Sequence, residues 1–465
     1  LIAHVGIDDA DSRIGGCTTY VASIVVKQLI ELGRDFIDYP NLIRLNPNIP
    51  WKTKGNASVA LRFMTDNIDG DFQCICQYVV TNSEVDTGNA NPAVVMLLGE
   101  EIPSEVKEFS NRALIDVVSS KQALSSASRY RMKVSAWGNG MGVVGAVAAI
   151  GNRLEDDYTY ELLAYRQPEN WGTKRKIDEE SVRQMDRETY PLTFNNYDYQ
   201  TDRILITPRG PDPVLLGIRG EDPQTLLGAF SRLTIGENID SFLIYRTNQG
   251  TGAHLSTPLT SGSLKAYTAG YIDGEVASLP KITRGGHVFF TTRNENHEVV
   301  CAVYEPTGDL RKIAVKLRPG DSIRIGGGVR PRSRSHASVI NVEYIQILRV
   351  KERYRLVSPS CSNCGRRMTS LGRFKGYKCR NCGNRDETLQ KIQEPLVPEL
   401  VKELYLSPSR SQRHLTKPLQ RFGQEKKKST NPSPDGAWYS FSTGFGDNVA
   451  RAPILANANL RYSGG

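Results

Sequence analysis

"VGIDDADSRIGGCTTY", residues 5–20, gathers Asp8, Asp9 and Asp11, the pair Gly15–Gly16 and Cys17-Thr18-Thr19 into sixteen residues. The stretch before the carboxylates, "IAHVGI", is apolar and half β-branched, which predicts a buried strand. The stretch after them, "TTYVASIVVKQLIELG", sets Val21, Ile24, Val25, Leu29 and Leu32 at helical spacing with Gly33 as the stop. The carboxylates therefore fall on a strand-to-helix turn, where open α/β sheets place their ligands. Three carboxylates would repel a nucleotide's phosphates unless a hard cation stood between them, and carboxylate plus phosphate oxygens are a typical Mg2+ set. Gly15 and Gly16 let the backbone approach a ligand, and the N–H groups around Cys17, Thr18 and Thr19 open a helix N-terminus suited to an anion. Thr18 either caps that helix or brings its hydroxyl to a transferring phosphate. Spacing alone leaves nucleotide chemistry and a merely capped acidic turn both open.

Outward from the turn, strands are expected at 2–7, 42–45, 57–63 and 93–98 and helices at 18–32, 72–80 and 104–118, so residues 1–130 read as an α/β domain. Residues 131–268 combine a glycine-rich helix start, "WGNGMGVVGAVAAIG", with the strand "YTYELLAYR", the segment "RILITPRGPDPVLLGIRG", a helix at 222–233 and the strand "SFLIYRTN". Two halves with strands and one helix each predict a ferredoxin-like α+β sandwich. Residues 269–350 give almost only strand signals, among them "GGHVFFTT", "EVVCAVYEP" and "KIAVKLRPGDSIRIGGGVR". That pattern, with its "RPGD" turn, predicts a small curved β-barrel of the OB-fold type. The cysteine-bearing segment 351–395 follows, then a basic Pro/Ser/Lys-rich tail, 396–465, in which "QEKKKSTNPSPDG" reads as disordered.

Composition bounds the possibilities further. A chain of 465 residues holds three or four domains, and 39% hydrophobic residues with a mean hydropathy of −0.39 describe a globular protein. No apolar run approaches the roughly 18 residues of a membrane span. The chain opens into a strand without a basic or cleavable apolar leader, so the cytoplasm is the expected compartment. Cys17, Cys74, Cys76 and Cys301 are scattered, as small buried hydrophobes are in a reduced protein. The net charge of +9 is uneven: residues 311–334 hold eight Lys/Arg against one Asp, 349–385 eleven against one Glu, and 407–430 seven against Glu425. The remainder is net acidic, so the basic footprint expected of a nucleic-acid partner is confined to the C-terminal third.

"CSNCG" and "CRNCG" present Cys361, Cys364, Cys379 and Cys382 as two C-x-x-C knuckles fourteen residues apart, a zinc-ribbon pattern. Four thiolates at about 2.3 Å make a closed tetrahedral Zn2+ site, structural rather than catalytic. Between the knuckles, Arg366, Arg367, Arg373 and Lys375 interleave with Phe374 and Tyr377, a surface for phosphate contacts and base stacking. "PWKTKGN" offers Lys52 and Lys54 as phosphate neutralisers. "WGNGMGVVG", with Gly140 and Gly142, suits a phosphate-cradling loop or simply close helix–sheet packing. No G-x-x-x-x-G-K-[ST] occurs, which excludes a Walker-type loop.

The stretches "VGIDDADS..GGCTTY", "NPNIPWKTKGN", "WGNGMGVVGAVAAIG", "YELLAYRQPENWG", "TFNNYDY", "GPDPVLLGIRGE", "YRTNQGT..HL" and "RHLTKPLQRF", in this order, resemble the archaeal tRNA-isoleucine 2-agmatinylcytidine synthetases. These are ATP-dependent tRNA-modifying ligases, and the resemblance runs from residue 1 to about residue 422. It implies a kinase-like domain, a ferredoxin-like domain, an OB-fold and a zinc ribbon. It also implies a reaction: agmatine replaces the carbon-2 oxygen of the wobble cytidine of the minor isoleucine tRNA, allowing AUA decoding. ATP would make that oxygen a leaving group by phosphorylating it, and would itself end as AMP and pyrophosphate. Asp8, Asp9 and Asp11 would hold Mg2+, Thr18 would lie at the transferring phosphoryl group, and Lys52 and Lys54 would screen phosphate charge. Agmatine is dicationic, and Asn195, Asn196, Tyr197 and Asp198 of "NNYD" with Arg209, Gly210 and Asp212 of "RGPDP" are the candidates for its pocket. The partners implied are tRNA and agmatine, with no membrane and no obligate protein partner. The match departs at Ala10 and Gly16, where Thr and Met are expected, and neither change removes a carboxylate or Thr18. A non-enzymatic OB-fold and zinc-ribbon RNA binder, and a plain kinase, are the competing classes. The intact acidic turn disfavours the first and the RNA-binding modules the second.

Overall fold

Strand β1 (Ile2–Asp8) lies in the middle of a sheet with β2 (Asn41–Arg44), β3 (Ala57–Met64), β4 (Ala93–Leu98) and β5 (Lys133–Ala136), ordered β5-β4-β1-β3-β2. This computed structural model describes residues 1–12, 15–52, 55–85, 90–260, 264–332, 337–397, 400, 403–426, 433–434 and 436–441. Helices α1 (Thr18–Glu31) and α2 (Ile68–Thr81) cover one face of the sheet; α3 (Ser104–Ile115), α4 (Ser120–Arg129) and α5 (Gly142–Gly151) cover the other. The period of two along β4 decides the layering: Val94 and Met96 join the core under α1 and α2, while Ala93, Val95 and Leu97 join the core under α3 and α5. All pairings among these five strands are antiparallel, so alternation of strand and helix does not signify a parallel sheet here. Helix α2 starts at Ile68, ahead of the expected 72, because Asn67 accepts a hydrogen bond from the Gly70 N–H. The run expected as one helix at 104–118 ends at Ile115, and α4 restarts behind a capping box of Ser119 and Gln122.

A second strand set is β6 (Thr159–Arg166), β7 (Thr193–Phe194), the hairpin β8 (Tyr197–Asp198) and β9 (Arg203–Ile204), β10 (Val214–Gly220) and β11 (Ile239–Thr247). Helices α6 (Glu179–Thr189) and α7 (Pro223–Ser231) complete it, and only the second was legible as a periodic run. The antiparallel order is β11-β6-β10-β7. β11 then runs parallel to β2, Arg246 opposite Asn41 and Thr247 opposite Leu42, and this fuses both sets into one mixed sheet. Segment 131–151 packs with the first set, since β5 pairs with β4 and α5 lies on β1, β3 and β4.

The third unit is a closed barrel of five strands, β12 (Ala269–Val276), β14 (Val288–Asn294), β15 (His297–Val303), β16 (Ser322–Arg330) and β17 (Val339–Arg349), with the short β13 (Lys281–Ile282) beside β14. Pairings run β12-β16-β17-β15-β14 and back to β12, with β15 and β17 parallel. "KIAVK", read as strand, is instead the end of helix α8 (Asp309–Lys316), whose Leu310 and Ala314, with Leu317 beyond, reach the barrel core at helical spacing. Beyond the barrel stands a small ribbon built from Tyr354–Val357 against Ile392–Pro395 and three two-residue strands between them.

The described segments of the tail pack on the body. Leu404–Leu406 pairs with β17, Tyr439–Phe441 pairs with β11, and Trp438 is buried against Phe36 and Tyr39. Of "QEKKKSTNPSPDG", Gln424 to Lys426 are described and Lys426 is pinned to Tyr158 and Glu221; residues 427–432 and 435 lie outside the described residues. Arg421 is 1% exposed, and its guanidinium pairs with Asp157 at 2.8 Å and Glu221 at 2.5 Å while donating to the Gly250 carbonyl. Arg421→Ala takes the guanidinium from two largely buried carboxylates and leaves Glu221 with Lys426 and Asp157 with the Lys426 N–H, and a loss of about 3 kcal/mol is expected in denaturant unfolding. A loss under about 1 kcal/mol would show the tail to be dispensable for the fold. No helix among the described residues is long and apolar enough to cross a membrane.

Candidate functional site

The end of β1 delivers Asp8, and the turn that follows is clamped on both sides. Asp9 sits at a positive φ of 57°; its carbonyl accepts from the Asn91 N–H at 3.0 Å and its carboxylate from Asn91 Nδ2 at 3.3 Å. On the other side Asp11 Oδ1 accepts the Thr18 N–H at 2.7 Å, and Thr18 Oγ1 accepts the Ala10 N–H at 3.2 Å. The helix is therefore capped from outside by Asp11; Cys17 is the N-cap residue and Thr18 the first residue of α1. Thr18 does not cap its own helix as the first of the two readings had it. Because the Thr18 contact uses the backbone of residue 10, it does not depend on the side chain there. Ser12 closes the loop on Gly15 through both the carbonyl and the N–H, and Gly16 takes the left-handed φ of 72°.

Burial and the neighbouring Asp9 charge push the Asp8 carboxyl well above the usual carboxylate range, against the opposing pull of the Ser58 hydroxyl. Two carboxylates crowded in this way form a site that a hard cation relieves. Room for Asp8 comes from α5: a Cβ on Gly145 would lie 2.0 Å from Asp8 Oδ2 and 2.3 Å from Ser58 Oγ. Gly145→Ala should fold with a penalty of about 1–3 kcal/mol yet lose most of the ATP turnover that the resemblance implies, read by product release beside a melting curve. Full turnover would show that Asp8 need not hold its observed position. Gly142 has a packing role as well, since its Cβ would meet the Asn91 carbonyl at 2.5 Å.

Two cavities meet at this turn. The smaller, about 510 Å³, is lined by Asp8, Asp9, Trp51, Lys52, Asn56, Asn91, Asn139, Met141 and Gly145. The larger, about 960 Å³, is lined by Asp11, Thr18, Arg44, Lys52, Glu161, Arg209, Asp212, Arg219 and His414 among others. Lys52 borders both, so the three carboxylates are divided, two on one cavity and one on the other. Lys54 lies outside the described residues. The glycine-rich loop reaches the smaller cavity through Asn139 and Met141, not through Gly140 or Gly142.

The agmatine candidates separate. Asn195, Arg209, Gly210 and Asp212 line the larger cavity, and Arg175 fixes the last loop by donating to the carbonyls of Gly210, Asp212 and Val214. Asn196 is buried and donates to Asp186 and Thr193; Tyr197 is buried with its hydroxyl among Glu179, Asp202 and Arg183; Asp198 accepts from Thr201, Gln200 and Arg410. These three side chains hold the hairpin together and do not line the cavity. One carboxylate of the cavity was not foreseen: Glu161 on β6, 2% exposed, accepts from Arg219 Nε at 3.0 Å and from Gln249. Its one sequence signal is a lone acid inside the apolar strand "YELLAY".

In the ribbon the four cysteine sulfurs lie within 4.8 Å of one another, the arrangement a tetrahedral Zn2+ takes. Arg366, Arg373, Phe374 and Lys375 are exposed, Phe374 at 91% with the Arg373 guanidinium over its ring. One expectation meets a buried side chain here, and a second residue, exposed as expected, also has a structural partner. Tyr377 packs inside the ribbon with Cys361, Met368 and Cys379 because a fold this small needs an aromatic core, so it is not a stacking platform. Arg367 ties the Ser358 carbonyl to Glu394 at 2.6 Å, a structural brace.

Known proteins share this arrangement along nearly the whole chain. Family models described as the TiaS TCKD domain, the TiaS FLD domain and the TiaS C-terminal zinc ribbon domain match residues 4–77, 140–254 and 358–395. The "tRNA(Ile2) 2-agmatinylcytidine synthetase TiaS" of Staphylothermus marinus is 41% identical over 438 residues, 91% of this chain and 95% of that protein. A crystal structure of apo TiaS, tRNAIle2 agmatidine synthetase, superposes with a TM-score of 0.82 at 36% identity, covering 90% of this chain and 98% of the other. A crystal structure of a TiaS–tRNA(Ile2)–AMPCPP–agmatine complex gives 0.77 at 34% identity, covering 90% and 97%. With three domain models of one family matched in order along the chain, and relatives aligned over nine-tenths of its length, this chain belongs to the tRNA(Ile2) 2-agmatinylcytidine synthetase (TiaS) family.

Proposed function

We infer that this protein is the ATP-dependent ligase that joins agmatine to carbon-2 of the wobble cytidine of the minor isoleucine tRNA. The observation that carries the mechanism is the junction of two cavities at one acidic turn. The smaller cavity, with Asp8, Asp9, Lys52 and Trp51, suits a nucleotide; the larger, with Thr18, Glu161 and Asp212, suits the meeting of a dicationic amine with a base. Mg2+ at Asp8 and Asp9 would neutralise and orient the phosphates of ATP. Asp11, tied to α1 by one oxygen, shapes the turn and presents Thr18 to the larger cavity, where its hydroxyl would meet the transferring phosphoryl group. Asp212 supplies negative charge for agmatine.

A carbonyl oxygen leaves poorly, and phosphorylation turns it into phosphate, which leaves well. That is why one enzyme needs a nucleotide site beside an amine site. With its γ-phosphoryl group carried off with the carbon-2 oxygen as phosphate, one ATP would end as AMP and a second phosphate released by water.

The finer architecture supports the same reading. The five-strand barrel, with parallel β15 and β17 and helix α8 after β15, has the strand order of an OB-fold, and β11-β6-β10-β7 has that of a ferredoxin-like sandwich. With the kinase-like N-terminal unit, these support a division close to 1–130, 131–268, 269–350, 351–395 and 396–465, with the first boundary moved to about residue 151 because segment 131–151 packs on the N-terminal sheet, and with the described tail strands joined to β17 and β11. Arg366, Arg373, Phe374 and Lys375 on the ribbon would take RNA phosphates and an unstacked base. The test is ATP consumption with and without tRNA and agmatine, with digestion of the tRNA to find agmatinylcytidine. ATP cleavage that leaves the tRNA unmodified would overturn the reading.

A further inference from the structure

Arg44 on β2, Arg219 on β10 and His414 in the tail come from remote parts of the chain and share one wall of the larger cavity. Arg219 Nη2 lies 2.9 Å from His414 Nδ1. Arginine can only donate, so this ring nitrogen carries the lone pair and Nε2 carries the proton. A Cβ on Gly55 would lie 2.4 Å from Arg44 Nη1 and 3.1 Å from the His414 ring, which places both side chains against the same bare backbone. Negative charge on this wall is short. Glu161 is shared by both guanidiniums, at 3.0 Å from Arg219 and 3.8 Å from Arg44, and Asp11 acts on Arg44 at longer range. Arg44 Nε is buried and has no hydrogen-bond partner among the described residues. Burial and the two guanidiniums push the His414 pKa well below its usual value, so the ring stays a neutral donor.

We propose that Arg44, Arg219 and His414 form a phosphate-binding wall in the cavity that holds Thr18. The proposal rests on the ligase reading above. The phosphate comes from one of two sources: the phosphoryl group carried by the cytidine oxygen, or the backbone phosphodiester of the nucleotide inserted into the cavity. For the first source the step balances within the reaction. The agmatine amine nitrogen bonds to carbon-2 and sheds a proton; the bond from carbon-2 to oxygen breaks with its electron pair on oxygen, which departs as part of inorganic phosphate. Two guanidiniums and an imidazole N–H on one wall stabilise that growing charge.

The experiment uses the full chain with its zinc, first as wild type with ATP, tRNA and agmatine, where absence of agmatinylcytidine would fail the ligase reading and not the wall. Inorganic phosphate is then the probe, as an inhibitor of agmatine transfer by wild type, Arg44→Gln, Arg44→Lys and His414→Asn, beside tRNA affinity measured across a salt series. For the phosphoryl source, phosphate inhibition should weaken about tenfold or more in Arg44→Gln, with part recovered in Arg44→Lys, while tRNA affinity holds. For the phosphodiester source, tRNA affinity should fall and its salt slope should drop by about one. His414→Asn carries the same comparison if Arg44→Gln melts early. Folded variants in which neither phosphate inhibition nor the salt slope moves would overturn the proposal.

Discussion

Asp8→Ala should lower ATP turnover on the order of a hundred- to a thousandfold while leaving tRNA affinity within a few fold. Asp8 lies at the end of β1, under α5 and beside Asp9, on a different sheet from the barrel and ribbon proposed to grip RNA. Alanine removes a ligand for the cation and leaves Asp9 to orient the phosphates alone. It also removes the crowding that raises the Asp8 carboxyl, so the folded protein should melt no earlier than wild type. Turnover lost together with an unchanged melting temperature separates a site effect from a folding effect. AMP release near the wild-type rate would remove Asp8 from the metal assignment.

Cys379→Ser has the second large effect, on a different part of the chain. Cys379 is 1% exposed, with its sulfur 3.5 Å from that of Cys364. The ribbon core otherwise holds Cys361, Met368 and Tyr377, with Leu389 packed against it. So small a core cannot offset chain entropy unaided, and a structural zinc contributes about 10 kcal/mol or more of folding free energy. Loss of one thiolate should release the metal, expose residues 358–395 to protease and weaken tRNA binding, since Arg373, Phe374 and Lys375 lose their fixed geometry. The Arg367–Glu394 brace is too exposed to hold the ribbon by itself. Metal analysis showing about one zinc per chain in the variant, with a protease-resistant ribbon, would contradict a four-cysteine structural site.

The acidic turn shows where local reading succeeds and where it stops. A strand, a turn and a helix at 2–31 follow from β-branched density and a 3.6-residue period, both confined to a few neighbouring residues. The division of the carboxylates between two cavities does not follow, because it depends on Asn91 and α5, which fold against the turn from far along the chain. The cysteine knuckles were legible for the first reason: metal-ligand spacing is local.

Charge gives the clearest contrast. The three basic windows look alike in the sequence, yet Arg410, Arg413, Lys417, Arg421 and Lys426 of the last one are paired with Asp198, Glu343, Glu425, Asp157 and Glu221. That window is an internal strap more than an RNA surface. It also brings His414 to the larger cavity, so a chain cut after residue 268 would lose part of its catalytic wall along with the barrel and ribbon. By itself the sequence determined the zinc ribbon, the acidic turn and those elements whose apolar period is strong, because each is written in spacings of a few residues; helix Asp309–Lys316, read as strand, was decided by its packing on the barrel. Only the tertiary structure decided which carboxylates face which cavity, which cations are already neutralised and that Tyr377 is core. Those depend on contacts such as Arg421 with Glu221, two hundred residues apart, and no local period records such a pairing.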